Sequence, residues 1–325
     1  TMVSSNYELN YVKGSLTINK VTLTVTANNK SRIYGTPNPL LNATITGYVN
    51  GEILSSSGIT GSPAMSTSAV QTSKVGNYDI NAELGSLAAA NYDFTFVKGT
   101  LVIGKATLTI TAENKTKPYG AQLPEFTAAY NGFMNGESLV SSGLSGQPQL
   151  TTTATASSAM GTYDITAADG SLVSDNYLFT FVKGSLVIGK AAITVTAENK
   201  SRTYGNGNPS LTYQLSGFAN GETLATSGVT GTPFLSTTAN ASSQAGVYDI
   251  TVSKGTLVSD KYDFILTKGS LTINKATVTV TPDNKSRLYS GSDPVFTASY
   301  SGFMNGEILS SSDIKGQPEL TTTAG

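Results

Sequence analysis

Residues 91–115 read NYDFTFVKGTLVIGKATLTITAENK, and this stretch decides the fold class. Tyr92, Phe94 and Phe96 alternate with polar residues, the period-two pattern of a strand with one buried face. Lys98-Gly99 then supplies a two-residue turn. A hairpin closed there sets Phe96 against Leu101 and Phe94 against Ile103 on one face. Lys-Gly is not the strongest turn pair, so a longer bulged turn at the same place stays open. The same reading applies to residues 9–18, where Tyr11 meets Leu16 and Leu9 meets Ile18. After the hairpin, Ala106, Leu108 and Ile110 face one way and Thr107, Thr109 and Thr111 the other, and Thr suits a solvated strand face.

Working outward, the stretch proves to be one instance of a period. Tyr34, Tyr119, Tyr204 and Tyr289 are spaced by 85 residues, as are Lys20, Lys105, Lys190 and Lys275. A fixed interval without drift means tandem copies, and 85 residues suffice for a small core in each. The copies are read as 21–105, 106–190 and 191–275. Residues 276–325 form the N-terminal part of a fourth, and residues 1–20 the C-terminal part of a preceding one, so that the chain reads as a fragment. Gly104-Lys105 and Asn19-Lys20 mark joints of about two residues, short enough to limit bending. A permuted register, with domains running from near residue 5 to near residue 85, is the alternative.

Each copy contains six or seven strand patterns and almost no helix. Phe126, Ala128 and Tyr130 alternate, Asn135-Gly136 is a turn, and residues 137–142 (ESLVSS) make one helical turn stopped by Gly143. QLTTTA is a polar strand, and GTYDI sets Tyr163 and Ile165 on one face. The expected fold is mostly β: small β-rich domains, grasp-like or sandwich-like, in an elongated array.

Composition excludes much chemistry. Cysteine, histidine and tryptophan are absent, which removes disulfides, thiolate chemistry and the commonest general base and metal ligand. Net charge is −1, so no long-range field draws nucleic acid or an anionic membrane. No apolar run has transmembrane length. The repeated acids, Glu52, Glu137, Glu222, Glu307 and Asp79, Asp164, Asp249, stand in no catalytic or calcium-loop spacing. Structural use is expected for them, with Glu137 capping the short turn through its charge. No catalytic, cofactor-binding or metal residue is assigned.

The phrase NKSRIYGTPNPL (29–40) recurs from Asn114, Asn199 and Asn284. Each Asn opens an N-x-[Ser/Thr] sequon, but a turn leaving the Thr-faced strand is the favoured reading. Tyr-Gly then makes a corner with the ring packed against the sheet, and the proline five residues on fixes φ. Lys30, Asn50 and Glu52 also recur, the residue types of a Lys–Asn cross-link beside a carboxylate, although no triad is identified and unmodified side chains are the simpler expectation.

LTVTANNKSRIYGTPNP, GFMNGESL, GTYDI and NYLFTFVKGSLVIGKA resemble MBG-type repeats, in the Tyr-Gly variant, of large bacterial surface proteins and adhesins. The resemblance covers essentially the whole chain. Its structural anchors are Tyr34, Gly35 and Pro39; Tyr119, Gly120 and Pro124; Tyr204, Gly205 and Pro209; and Tyr289 and Pro294, where Ser290 departs from the pattern. The resemblance implies a β-rich module, an extracellular bacterial cell-surface setting and no catalytic residues. The expected function is a non-enzymatic stalk or spacer. The alternative is an array of weak glycan- or protein-binding sites acting by avidity. Neighbouring repeats are the expected partners, in a monomer that neither binds nucleic acid nor inserts into a membrane; a surface glycan or protein is the open ligand class.

Overall fold

A computed structural model of the protein describes residues 1–324. Contacts divide them into two compact units. The first comprises residues 1–114, 125–152 and 164–185; the second comprises 115–124, 153–163 and 186 onward. Strands and turns make up the structure, with no helix among the described residues.

The first repeat, in unit one, contains β1 (Val21–Ala27), β2 (Lys30–Ile33), β3 (Ala43–Thr46), β4 (Ala64–Thr67), β5 (Gly76–Glu83), β6 (Tyr92–Val97) and β7 (Gly99–Gly104). They form two sheets, ordered β3-β1-β6 and β2-β7-β5-β4. Leu23, Val25 and Ala27 of β1, Ile80 of β5, and Leu101 and Ile103 of β7 are buried between them. The threonines of β1 alternate with these apolar residues and stay partly or fully exposed, as their period requires.

The hairpin expected at Lys98-Gly99 does not form. β6 pairs in parallel with β1, whereas β7 pairs in parallel with β2 and antiparallel with β5. Val21 pairs with Tyr92 and Lys30 with Leu101, the same offset of 71 residues in both sheets. Residues 21–33 and 92–104 are therefore two long bent segments, parallel and in one register, that leave the first sheet and enter the second together. The apolar alternation is the same for a hairpin and for a strand that crosses between facing sheets, since both keep one face on the core. Gly99 sits at the bend, where a Cβ would collide with the Ala27 carbonyl. A tight backbone approach, rather than a turn, requires this glycine.

The bend also explains the repeated asparagine. Asn29 Oδ1 accepts the Thr100 N–H at 2.8 Å, again across 71 residues, where the backbone ladder is interrupted. Asn114 serves Ser185 and Asn199 serves Ser270 in the same way, each at 2.8 Å. These side chains bridge two segments of the fold and do not occupy the left-handed turn expected of them.

The element order recurs as β8 (Ala106–Ala112), β9 (Lys115–Pro118), β10 (Ala128–Asn131), β11 (Gln149–Thr152), β12 (Gly161–Ala168), β13 (Tyr177–Val182) and β14 (Gly184–Gly189). β10, β8 and β13 form a sheet in unit one, and β9 pairs with β14 in unit two. The third copy, in unit two, contains β15 (Ala191–Ala197), β16 (Lys200–Thr203), β17 (Tyr213–Ser216), β18 (Phe234–Thr237), β19 (Gly246–Ser253), β20 (Tyr262–Thr267) and β21 (Gly269–Asn274), with both sheets as in the first. β22 (Thr279–Pro282) and β23 (Ala298–Ser301) pair at the start of the fourth.

Residues 1–20 carry no strand, and Leu9, Tyr11, Leu16 and Ile18 are exposed, so the hairpin expected there is also absent. Their counterparts Leu101 and Ile103 are held by β2 and β5 on either side, and residues 1–20 have no such strands beside them. Two shorter expectations fit. Asn135-Gly136 turns with φ of 54° and 73°. Ser142 N–H reaches the Ser138 carbonyl at 2.9 Å, a single helical turn.

Candidate functional site: the joint between repeats

Between β7 and β8 stands one residue, Lys105. Its Nζ donates to the Ser174 carbonyl at 2.8 Å, across the joint into the following repeat. In unit two, Lys190 Nζ reaches the Ser259 carbonyl at 2.8 Å. A connector this short, tied at its side chain, leaves little freedom of its own.

The opening phrase builds the other side of the joint. β2 ends at Ile33, and the Tyr34 N–H donates to the Gly104 carbonyl at 2.8 Å, which fixes the corner to the end of β7. Arg32 is buried without a carboxylate partner among the described residues. It donates to Asn38 Oδ1 at 2.7 Å, to the Ile33 carbonyl at 3.1 Å and to the Val70 carbonyl at 2.6 Å. Carbonyl dipoles thus satisfy the guanidinium and pin the corner to the loop after β4. Arg202 repeats this arrangement with Asn208 and Asn240, and Lys117 reaches the carbonyls of Ala121 and Ala156, both at 2.9 Å.

So held, the corner points into the next repeat. Tyr34 Oη donates to Glu137 Oε1 at 2.5 Å, and Tyr177 Oη donates to Glu137 Oε2 at 2.6 Å. The Met134 N–H donates to Tyr177 Oη at 2.8 Å, so that phenol is satisfied in both senses. The two tyrosine rings meet edge to face, with centroids 5.7 Å apart. Gly35 lies against Met134, where a Cβ would collide with the methionine Cβ, and its φ is +80°. One apolar cluster runs through the joint, joining Val25, Ile80, Leu101 and Tyr34 with Leu108, Phe133, Met134 and Tyr177. Burial raises the Tyr34 phenol above its ordinary value, and the Glu137 carboxylate adds to the effect. The same causes push Tyr177 up to about 12.

Unit two contains the equivalent joint with one change. Tyr119 Oη and Tyr262 Oη donate to the two oxygens of Glu222 at 2.9 and 2.6 Å, and Gly120 lies against Ala219. Lys261 stands where the first joint has Asn176. Its Nζ bonds Glu222 Oε1 at 2.6 Å and lies 5.4 Å from the centre of the Tyr119 ring. The lysine holds Glu222 below the usual carboxylate range, and the carboxylate raises Lys261 in return. Asn176 instead accepts the Val75 N–H at 3.3 Å. A third instance joins Tyr204 Oη to Glu307 Oε1 at 2.5 Å, with Gly205 against Met304.

This geometry decides what the repeated phrase is for. A model of the MBG domain (YGX type) matches residues 23–102, 108–187, 193–272 and 278–325. The chain belongs to the MBG domain family. No curated protein matches it. Solved structures similar to the chain include the I9–I11 tandem of titin, at 10% identity, covering 78% of this chain and 100% of that one, with a TM-score of 0.21. The protocadherin GammaB4 extracellular domain is similar at 12% identity, covering 85% and 52%, with a TM-score of 0.21. Three N-terminal domains of the Hoc protein of bacteriophage RB49 are similar at 12% identity, covering 78% and 99%, with a TM-score of 0.22.

In this MBG chain the anchors take different places. Tyr34 is buried, Tyr119 and Tyr204 are half-buried, and Pro39, Pro124, Pro209 and Pro294 are half-buried beside the corners. Tyr289 is 99% exposed, and Ser290 keeps the left-handed backbone at φ +63°. The sequence reading placed the tyrosine ring on its own sheet and made Glu137 a turn cap. It missed the pairing of the two, although the Tyr-to-Glu spacing of 103 residues occurs three times. Glu52 accepts the Tyr92 phenol at 2.5 Å and Asn50 occupies a left-handed turn, so neither stands in a Lys–Asn cross-linking triad with Lys30. Among the described residues no group of three His, Cys, Asp or Glu is placed to hold a metal, in keeping with a non-enzymatic repeat.

Proposed function

We propose that this chain is a spacer segment of a bacterial cell-surface adhesin, in which MBG repeats hold a distal part of the parent protein away from the cell. The observation that carries the reading is the Tyr–Glu–Tyr clasp beside a one-residue connector, found at successive joints. A spacer must resist folding back on itself. A short connector with a second, side-chain attachment resists bending better than a connector alone. The tyrosine and glutamate of each clasp are used up in the joint, which favours mechanical use of the repeated polar residues over ligand contact. The 85-residue repeats, in the register 21–105, 106–190 and 191–275, are the units of this spacer.

Small-angle scattering tests the reading. A compact chain of this length has a radius of gyration of about 20 Å. The spacer should give a value well above that, and a maximum dimension more than twice the compact diameter. A radius near 20 Å sinks it.

A further inference from the structure

The acceptor side of the clasp occurs in the first repeat without a donor. Glu52 takes the phenol of Tyr92 on Oε2, as Glu137 takes Tyr177, and among the described residues it receives no second phenol. Asn50 and Gly51 have φ of 55° and 72°, against 54° and 73° at Asn135 and Gly136, so the acceptor loop is already shaped. Val49 fills the place of Met134 and is exposed, with no corner glycine over it. Tyr48 Oη, in the same loop, is the buried side-chain polar atom without a hydrogen-bond partner.

The approach to this face is also set as at the filled joints. Lys20 Nζ reaches the Ala89 carbonyl at 3.1 Å, as Lys105 reaches Ser174 and Lys190 reaches Ser259. Val21 N–H meets the Asn91 carbonyl at 3.1 Å, as Ala106 meets Asn176 at 3.0 Å. Residues 1–20 repeat the sequence pattern of residues 86–105, yet their apolar side chains lie exposed.

We propose that the face around Glu52, Val49 and Tyr48 receives the Tyr-Gly corner of a further MBG repeat, one that ends in residues 1–20 of the same polypeptide. The recognition chemistry is read from the other joints: a phenol donor for Glu52 Oε1, followed by a left-handed glycine that admits Val49. The fourth repeat of a second copy does not meet it, because Ser290 carries a Cβ where the close approach demands none. The inference rests on the spacer reading but is separable from it, since the spacer reading is carried by the joints within residues 21–324.

The test lengthens the full chain by joining a copy of residues 21–85 ahead of Thr1, which with residues 1–20 completes one 85-residue period. Amide hydrogen exchange over residues 48–53 should slow by about tenfold or more relative to the original chain. Exchange over residues 1–20 should slow with it. Replacing the added corner glycine by Ser should release residues 48–53 while residues 1–20 stay protected. Unchanged exchange at 48–53 beside a folded added repeat overturns the proposal, as does failure of that repeat to fold. Protection of 48–53 in the original chain that grows with concentration would assign the face to a second copy and also overturn it. None of these outcomes alters the scattering result for the original chain.

Discussion

Tyr34 and Glu137 are separated by 103 residues in the chain and by 2.5 Å in space. The phenol belongs to one repeat and the carboxylate to the next, and Tyr177 completes the site from the carboxylate's own side. Tyr34→Phe keeps the ring and removes the hydrogen bond. It should destabilise the chain by about 1–2 kcal/mol, as for a bond to a charged acceptor that is not fully enclosed. A double-mutant cycle with Glu137→Gln, followed by urea denaturation, should give a coupling clearly above the ~0.5 kcal/mol scatter of independent sites. Additive effects would show that the two groups touch without contributing to the joint.

Gly35→Ser should cost more than Tyr34→Phe. It forces an L side chain into φ +80° and drives its Cβ onto Met134, with the left-handed conformation alone worth about 1–2 kcal/mol. Ser290→Gly in the fourth repeat is the control. There the corner is exposed and the change should be neutral or slightly stabilising in the same denaturation experiment. Equal effects at the two positions would remove the steric argument.

Alkaline pH should open the joints. The folded-state phenols of Tyr34, Tyr177, Tyr204 and Tyr262 lie above their ordinary value of 10.0, Tyr177 at about 12. A raised folded value means stability that is complete below the unfolded value and is lost as pH rises through the folded one. Thermal midpoints should therefore hold steady to about pH 9.5 and fall from pH 10 to 12. Tyr34→Phe should shallow that fall, and a midpoint flat across this range contradicts the assignment.

The second joint should respond to salt and acid through its lysine. Glu222 is lowered mainly by Lys261, so its contribution is present above the unfolded carboxylate value of 4.5 and is lost as pH falls through the lower folded one. Screening should weaken the partly exposed pair between low and ~0.5 M salt. Lys261→Asn gives this joint the residue of the first one, and should abolish most of the salt dependence of unfolding. If the dependence persists, charges elsewhere are responsible.

Gly99→Ala probes the bend rather than the joint. The added methyl meets the Ala27 carbonyl, and overpacking of this kind costs about 1–3 kcal/mol. A loss in the first repeat's stability, read by denaturation, checks the requirement for a bare backbone there. No loss would show that the two segments can part without consequence.

Much of this protein was legible in its residues. The 85-residue period, the alternation along Tyr92–Phe96 and Ala106–Ile110, the Asn135-Gly136 turn and the absence of helix are local properties, set by backbone sterics and by which neighbours are apolar. Pairing is not local. Phe94, Phe96, Leu101 and Ile103 show the same alternation whether the chain reverses at Lys98-Gly99 or crosses between sheets. Only the approach of Gly99 to Ala27, 72 residues away in sequence (99 − 27), decides for the crossing. The clasp lies further out of reach. Tyr34 and Glu137 each look complete within their own repeat, one as a core ring and the other as a turn cap. A hydrogen bond across 103 residues depends on how one repeat docks on the next, and that is settled by the packing of Tyr34, Phe133, Met134 and Tyr177 into one apolar cluster.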